Sequence, residues 1–305
     1  MKIIYFGNNI RGVQCLKALT EAGYVIASVV VHPDAAGTAG SESVSSLAKQ
    51  LSIPVLAPKN VNSPTFLADL KTLRPDLMIL SGYNQILKKE ALSLPVQGTI
   101  NLHGGRLPHY RGGSPINWQI INGESEGACS ILYVDEGIDT GDLLAQEHYC
   151  IGPDETAAEV TKKTLEIFPV LLIDVVRKIQ SGTLKPIKQD VSAGNYYCKR
   201  YPKDGKIQWD QMNAQEVHNL VRALNGPNLP GAFTFLDGKK IIVWKTKLTE
   251  KSIKGVPGRI AVKREEGLMV ICRDKAILVS EIKENENPEI LPAKNHFKIC
   301  GMNFC

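Results

Sequence analysis

The chain has 305 residues, 43% of them hydrophobic, with 36 Lys+Arg against 31 Asp+Glu for a formal net charge of +5. That length suits two domains with a large core better than one, and the lack of any run of about 18 apolar residues argues against a membrane-spanning helix. Seven scattered cysteines, odd in number and without a C-x-x-C pair, argue against a disulfide framework or a zinc site and fit reduced thiols in the cytoplasm.

In chain order, residues 1–7 are too short and too soon broken for a signal peptide, and residues 3–6 read as a buried strand. Val13, Leu16 and Leu19 fall at helical spacing within 11–22. A β-branched strand spans 25–31, a short helix 44–51, a short strand 55–56, a helix 65–72 that stops before Arg74-Pro75, and strands 77–80 and 99–102. This alternation makes the first domain α/β, with a mostly parallel sheet covered on both faces. Ligands of such sheets bind beyond the carboxyl ends of the strands. Strands 130–134 and 143–150 flank a turn at 135–142. Asp154 is the expected N-cap of a long helix reaching Ile179, with Pro169 predicting a kink or break and Ser181-Gly182 the end. Residues 183–203 are polar and aperiodic and read as a connector. Beyond it lie a helix at 214–223 and short strands at 232–236, 240–247, 258–262, 268–272 and 276–282. That is the pattern of a small barrel, with Asp237-Gly238 a hairpin turn. No element is assigned to 291–305. The expected domains are a catalytic domain over 1–190, a linker over 191–205 and a barrel over 206–305. Residues 1–190 carry 17 Lys+Arg against 19 Asp+Glu, and residues 191–305 carry 19 against 12. The basic C-terminal third suits a phosphate-bearing partner or a solvated surface.

The chemistry concentrates in Asn101-Leu102-His103, Arg111–Pro115 and Asp135–Gly141. An amide such as Asn101 can donate to a developing oxyanion. An imidazole such as His103 can do the same or shuttle a proton. A carboxylate such as Asp139 can orient the imidazole or hold a water. Each also has an ordinary role as a strand cap or turn residue. Together, at a strand end with glycines on both sides, they form a set able to move an acyl group onto an amine.

Asn101-x-His103, then Leu107-Pro108-x-Tyr110-Arg111-Gly112-x-x-Pro115, then Asp139-x-Gly141 resemble the N10-formyltetrahydrofolate-dependent formyltransferases. Residues 53–62, 114–118, 217–223 and 230–233 resemble most the members acting on nucleotide-linked amino sugars. The resemblance implies a Rossmann-like first domain and a smaller OB-like second one, with Asn101, His103 and Asp139 as catalytic triad and no metal. It implies a folate wall at Ser81, Gly82, Tyr83, Asn84, Gln85 and Ile86, facing Asp135, Gly137 and Ile138; a plain strand-to-helix connector is the alternative for the first segment. Gly7, Asn8, Asn9 and Arg11 form a candidate acceptor loop. Tyr110 and Arg111 can hold a sugar or phosphate, or pack at the rim. Arg200, Trp209 and Arg222 are further candidates for facing the cleft.

Two acceptors compete. The tRNA members share the domain plan, and a basic C-terminal domain suits RNA. However, residues 32–43, where those members carry Arg and Lys, hold no basic residue and two acids. The expectation is therefore a UDP- or dTDP-linked amino-deoxy sugar of lipopolysaccharide biosynthesis as small-molecule partner. Nucleic acid is not expected, methionyl-tRNA formylation is the alternative, and formyltetrahydrofolate hydrolysis ranks below both. A homo-oligomer is left open.

Overall fold

The computed structural model describes residues 1–33, 43–250, 252–284, 289–296 and 301–305. The chain divides into two compact units, and the division is not linear in sequence. The first comprises Met1–Pro115, Gly127–Tyr149 and Lys162–Tyr197; the second comprises Ile116–Glu126, Cys150–Thr161 and Cys198–Cys305.

In the first unit, β1 (Lys2–Gly7), β2 (Val25–Val30), β3 (Val55–Leu56), β4 (Leu77–Ser81) and β5 (Thr99–His103) pair in parallel. They are linked by α1 (Ile10–Glu21), α2 (Val44–Gln50), α3 (Pro64–Leu73) and α4 (Lys89–Leu92). Side-chain caps start the first three helices: Asn9 accepts from Gly12 N, Ser43 from Ser46 N and Ser63 from Phe66 N, each satisfying a donor the helix cannot use internally. The chain continues through β6 (Arg111–Gly112), α5 (Pro115–Ile121), β7 (Glu126–Tyr133), β8 (Leu143–Cys150), α6 (Ala157–Gln180) and β9 (Tyr196–Tyr197); of these, α5 beyond its first residue and the first turn of α6 belong to the second unit. Strand β7 pairs antiparallel with β5, and the sheet order is β3-β2-β1-β4-β5-β7-β8. The order reverses at β1/β4, where Gly7 lies beside Ser81, and Leu80 lies beside Asn101. The carboxyl ends of these central strands are the sheet's natural binding edge.

The second unit contains α7 (Ala214–Ala223), β10 (Ala232–Leu236), β11 (Lys239–Lys247), β12 (Ile260–Arg264), β13 (Gly267–Ile271), β14 (Ala276–Glu284), β15 (Leu291–Pro292) and α8 (Ala293–His296). Its antiparallel sheet runs β10-β11-β14-β13-β12. Trp209, Val217, Leu220, Val221, Val270, Val279, Ile282 and Phe304 lie in its core. Asp237 and Gly238 turn between β10 and β11 with positive φ, as the hairpin signal predicts. The chain end does what the sequence left unassigned. Ile260 N donates to Met302 O at 2.9 Å and Phe304 N to Gly258 O at 2.8 Å, while Phe235 and Cys305 exchange both backbone bonds at 2.8 and 2.9 Å. Residues 301–305 thus bond to both edge strands and close the sheet on itself, which removes exposed strand edges.

Two local expectations are corrected. Thr156, not Asp154, starts α6: Thr156 N donates to Glu159 Oε2 at 2.8 Å and Glu159 N to Thr156 Oγ1 at 3.4 Å, a capping box. The Asp154 carboxylate lies 3.3 Å from His218 Nε2 instead. Of the kink or break expected at Pro169, the break does not occur, because Val160, Thr164, Phe168, Leu172, Val175, Val176 and Ile179 form a continuous buried stripe that outweighs one missing backbone bond.

Among the described residues no helix is long and apolar enough to cross a membrane, and no group of three His, Cys, Asp or Glu is placed to hold a metal ion. Cys15, Cys129 and Cys272 are buried free thiols, each pushed up to about 12 by burial.

Candidate active site

Asn101 and His103 alternate along β5, so both project from one face at its carboxyl end. Asp139 sits in the turn between β7 and β8 with φ +53°, a left-handed conformation that Asp tolerates better than most residues. The three side chains meet. Asn101 Nδ2 donates to Asp139 Oδ1 at 3.1 Å. His103 Nδ1 lies 3.4 Å from Asp139 Oδ2, and Gly112 N donates to that same oxygen at 2.9 Å. On the other side of the ring, His103 Nε2 is 2.7 Å from Tyr110 O. Both ring nitrogens therefore face acceptors. A neutral imidazole carries one N–H and satisfies only one of them; the imidazolium satisfies both.

The loop supplying Tyr110 O is held in an unusual shape. Tyr110 and Ser114 have φ +58° and +55°, and a bulky residue such as tyrosine persists there only when its surroundings over-determine it. Those surroundings are visible. Tyr110 is buried and its ring stacks on Tyr197 at 4.9 Å and 7°. Arg111 N donates to Asn195 O at 3.0 Å and Gly113 N to Tyr197 O at 2.9 Å. Ser130 Oγ donates to Gly105 O at 2.7 Å and is itself held by Gln146 Nε2 at 2.8 Å. Ser130, Gln146, Asn195 and Tyr197 escaped the sequence analysis; a side chain bonded to a distant carbonyl leaves no periodic trace. The 183–203 stretch is no plain connector, since its β9 pairs with β6.

The folate-wall candidates take mixed places. Ser81 is buried at the end of β4, and Gly82, with φ +71°, leaves room for the Asn9 side chain. Tyr83 stacks on His32 at 4.4 Å and meets Phe6 edge-on at 5.3 Å; burial pushes its hydroxyl up to about 12. Asn84 N donates to His32 Nε2 at 3.1 Å, and Gln85 Oε1 accepts from Val61 N at 3.1 Å. Asp135 closes its own turn, accepting from Gly137 N at 3.0 Å and Thr140 Oγ1 at 2.6 Å. A Cβ at Gly137 would run into Thr140 Oγ1. An exposed 3.2 Å ion pair links Lys89, the first residue of α4, to Glu136, and Ile86 and Ile138 are exposed.

Of the acceptor-loop candidates, Gly7 packs where a Cβ would lie 2.6 Å from the Tyr5 ring, Asn9 caps α1, and Asn8 Oδ1 is buried with no partner among the described residues. Both arginines are engaged with the scaffold. Arg11 Nη1 donates to Leu102 O at 3.0 Å and its guanidinium covers the Phe168 ring at 4.8 Å. Arg111 donates to Pro108 O at 3.2 Å and Val191 O at 3.3 Å. In the second unit, Trp209 is a core residue donating to Thr234 Oγ1 at 2.9 Å, and Arg200 lies over the Trp118 ring at 4.7 Å. Arg222 is buried and donates to Asn219 Oδ1, Gly152 O and Glu155 O at 3.1–3.2 Å. All three are engaged by neighbouring groups of the second unit. Of residues 32–43, whose acidity guided the choice of acceptor, 34–42 lie outside the described residues.

Comparison with known proteins places this geometry in context. Residues 1–176 match the family model described as formyl transferase, and residues 199–298 match formyl transferase, C-terminal domain. The methionyl-tRNA formyltransferase of Caldanaerobacter subterraneus subsp. tengcongensis is 36% identical over 289 residues, covering 93% of this chain and 92% of its own length. That of Acetivibrio thermocellus is 35% identical over 93% and 92%. Among solved structures, WlaRD, a sugar 3N-formyl transferase crystallised in the presence of dTDP and 5-N-formyl-THF, superposes with a TM-score of 0.70 at 20% identity, covering 94% of this chain and 98% of its own. That likeness shows the shared fold. The expectation of an amino-sugar acceptor is overturned in favour of its stated alternative: seven relatives at 33–36% identity are methionyl-tRNA formyltransferases, whereas the sugar enzymes are neighbours in structure at about 20%.

Proposed function

The chain belongs to the formyl transferase family, and from that premise we propose that it is a cytoplasmic enzyme formylating the methionyl amine of methionyl-tRNA. N10-formyltetrahydrofolate is the formyl donor. The observation that carries the choice of acceptor is the 36% identity to a methionyl-tRNA formyltransferase over 93% of this chain. The excess of 19 Lys+Arg over 12 Asp+Glu in residues 191–305 supports it, since neutralised phosphates release counterions and drive binding.

In this reading Asn101 uses one amide hydrogen on Asp139 and offers the other to the oxyanion that forms on the formyl oxygen. Asp139 holds the imidazole and balances its positive form. His103 exchanges Tyr110 O for the reacting groups and carries the proton lost by the amine to the departing N10. One C–N bond forms and one breaks, with no net change in protons. Exposed Ile86 and Ile138 offer an apolar surface suited to a flat heterocycle.

The test is formylation of charged initiator tRNA by purified protein and N10-formyltetrahydrofolate. The expected result is donor-dependent formyl-methionyl-tRNA. Turnover of a nucleotide-linked amino sugar, with none of the tRNA, would refute the proposal.

A further inference from the structure

Gln189 lies in the aperiodic stretch that follows α6. Its amide nitrogen donates to two main-chain carbonyls of the Asp139 turn, Asp139 O at 3.2 Å and Gly141 O at 2.5 Å. Its amide oxygen is buried without a partner among the described residues. Both partners are carbonyl oxygens, so only the amide nitrogen can face them, and the side chain is oriented by its two donations. The backbone beside it is anchored: Ile187 and Leu143 exchange both main-chain bonds at 2.8 Å. The turn itself has little slack. Asp139 is left-handed at φ +53°, and Gly141 packs so closely that a Cβ would strike Tyr133 O.

An aspartate side chain has two torsions, so the direction of its carboxylate follows mainly from its backbone. Holding the carbonyls on both sides of Thr140 with one donor fixes that backbone. We infer that Gln189 is a positioning residue: it holds the left-handed turn that aims the Asp139 carboxylate at Asn101 and His103. The inference rests on the reading in which Asp139 serves formyl transfer. It assigns Gln189 a role exerted through Asp139, with no contact to substrate.

The test compares Q189M, which keeps the bulk and removes the donors, with D139N and the double variant in the full chain. Q189M is expected to lower kcat about 10–100-fold with KM nearly unchanged, the effect of displacing a reacting group by up to about 1 Å. In the D139N background, Q189M is expected to cost nothing further, because the group it positions is already gone. Without any substrate, the His103 ring resonances in Q189M are expected to move toward their D139N positions. Should Q189M fail to fold, Q189E, which replaces the donor by acceptors at equal size, carries the same expectations. Wild-type turnover and unmoved His103 resonances in a folded Gln189 variant would overturn the inference, as would losses that add in full in the double variant. Wild-type turnover in D139N would instead remove the reading of Asp139 itself.

Discussion

Gly105 offers a direct measure of how tightly the site is built. A Cβ at this position would lie 2.7 Å from His103 Nε2, 2.7 Å from Tyr110 O and 3.0 Å from Pro115 Cβ. Ordinary contact begins near 3.4 Å, so the first two atoms must each retreat by about 0.7 Å, or one by more. Neither is the loose end of a flexible side chain. His103 is buried on β5, and Tyr110 O belongs to a left-handed residue whose ring is stacked on Tyr197. The two atoms are also hydrogen-bonded at 2.7 Å, so the methyl wedges between partners. Overpacking of this kind costs about 1–3 kcal/mol, offset by about 0.4–1 kcal/mol because alanine narrows the unfolded ensemble. Gly105→Ala is therefore expected to lower stability by about 1–2 kcal/mol. A shift of the imidazole approaching 1 Å is expected to cost about 10–100-fold in kcat. Urea unfolding reads the first quantity and steady-state formylation the second. Gly182→Ala serves as control: its φ of +67° is unfavourable to a side chain, but nothing lies within 4 Å, so stability should fall by about 1 kcal/mol with kcat intact. Wild-type kcat and stability in Gly105→Ala would refute the reasoning, since the imidazole could then move freely.

Three further outcomes are expected. Asn101→Ala should reduce kcat about 100–1,000-fold with KM little changed, the usual loss for an oxyanion donor; a folded variant with full turnover would exclude that role. Phe304→Ala removes a buried ring stacked on Trp209 at 5.9 Å and should destabilise the second unit by about 3 kcal/mol, measured by urea unfolding followed through tryptophan fluorescence; a change below about 1 kcal/mol would show that the chain end does not seal the barrel. The His218 pKa is lowered, foremost by burial and against the raising contact to Pro153 O. The unfolded chain, titrating near 6.5, therefore takes up this proton first. The His218 contribution to stability is full above that pH and is lost as pH falls toward the depressed folded value. The urea midpoint should drop less between about pH 7 and pH 5 in His218→Gln than in the wild type; equal slopes would contradict the sign.

The meeting of Asn101 and His103 was legible because they sit two residues apart on one buried strand, where side-chain alternation places them on the same face. The third member of the triad stands in a glycine-flanked turn beyond the next strand. The scaffold around it was not legible. Sequence offers Arg11 and Arg111 as phosphate contacts, with rim packing the alternative for Arg111; it does not show that both guanidiniums tie down carbonyls. Gln189 and Tyr197 stand in a segment with no period to detect, because they act through isolated contacts to loops some 50 and 85 residues away. The acceptor was misread for a related reason. The charge of one short stretch, residues 32–43, decided the choice, and a stretch of that length carries less information than identity over 93% of the chain.

By itself the sequence determined most of the strand–helix alternation and the division into a mostly parallel α/β part and a small β part. Both follow from local periodicity and turn chemistry. Only the tertiary structure decided which polar groups remain for chemistry and which are used to hold the fold. Hydrogen-bond partners are distributed in space, and a buried carbonyl must take its donor from whatever side chain the fold brings within about 3 Å.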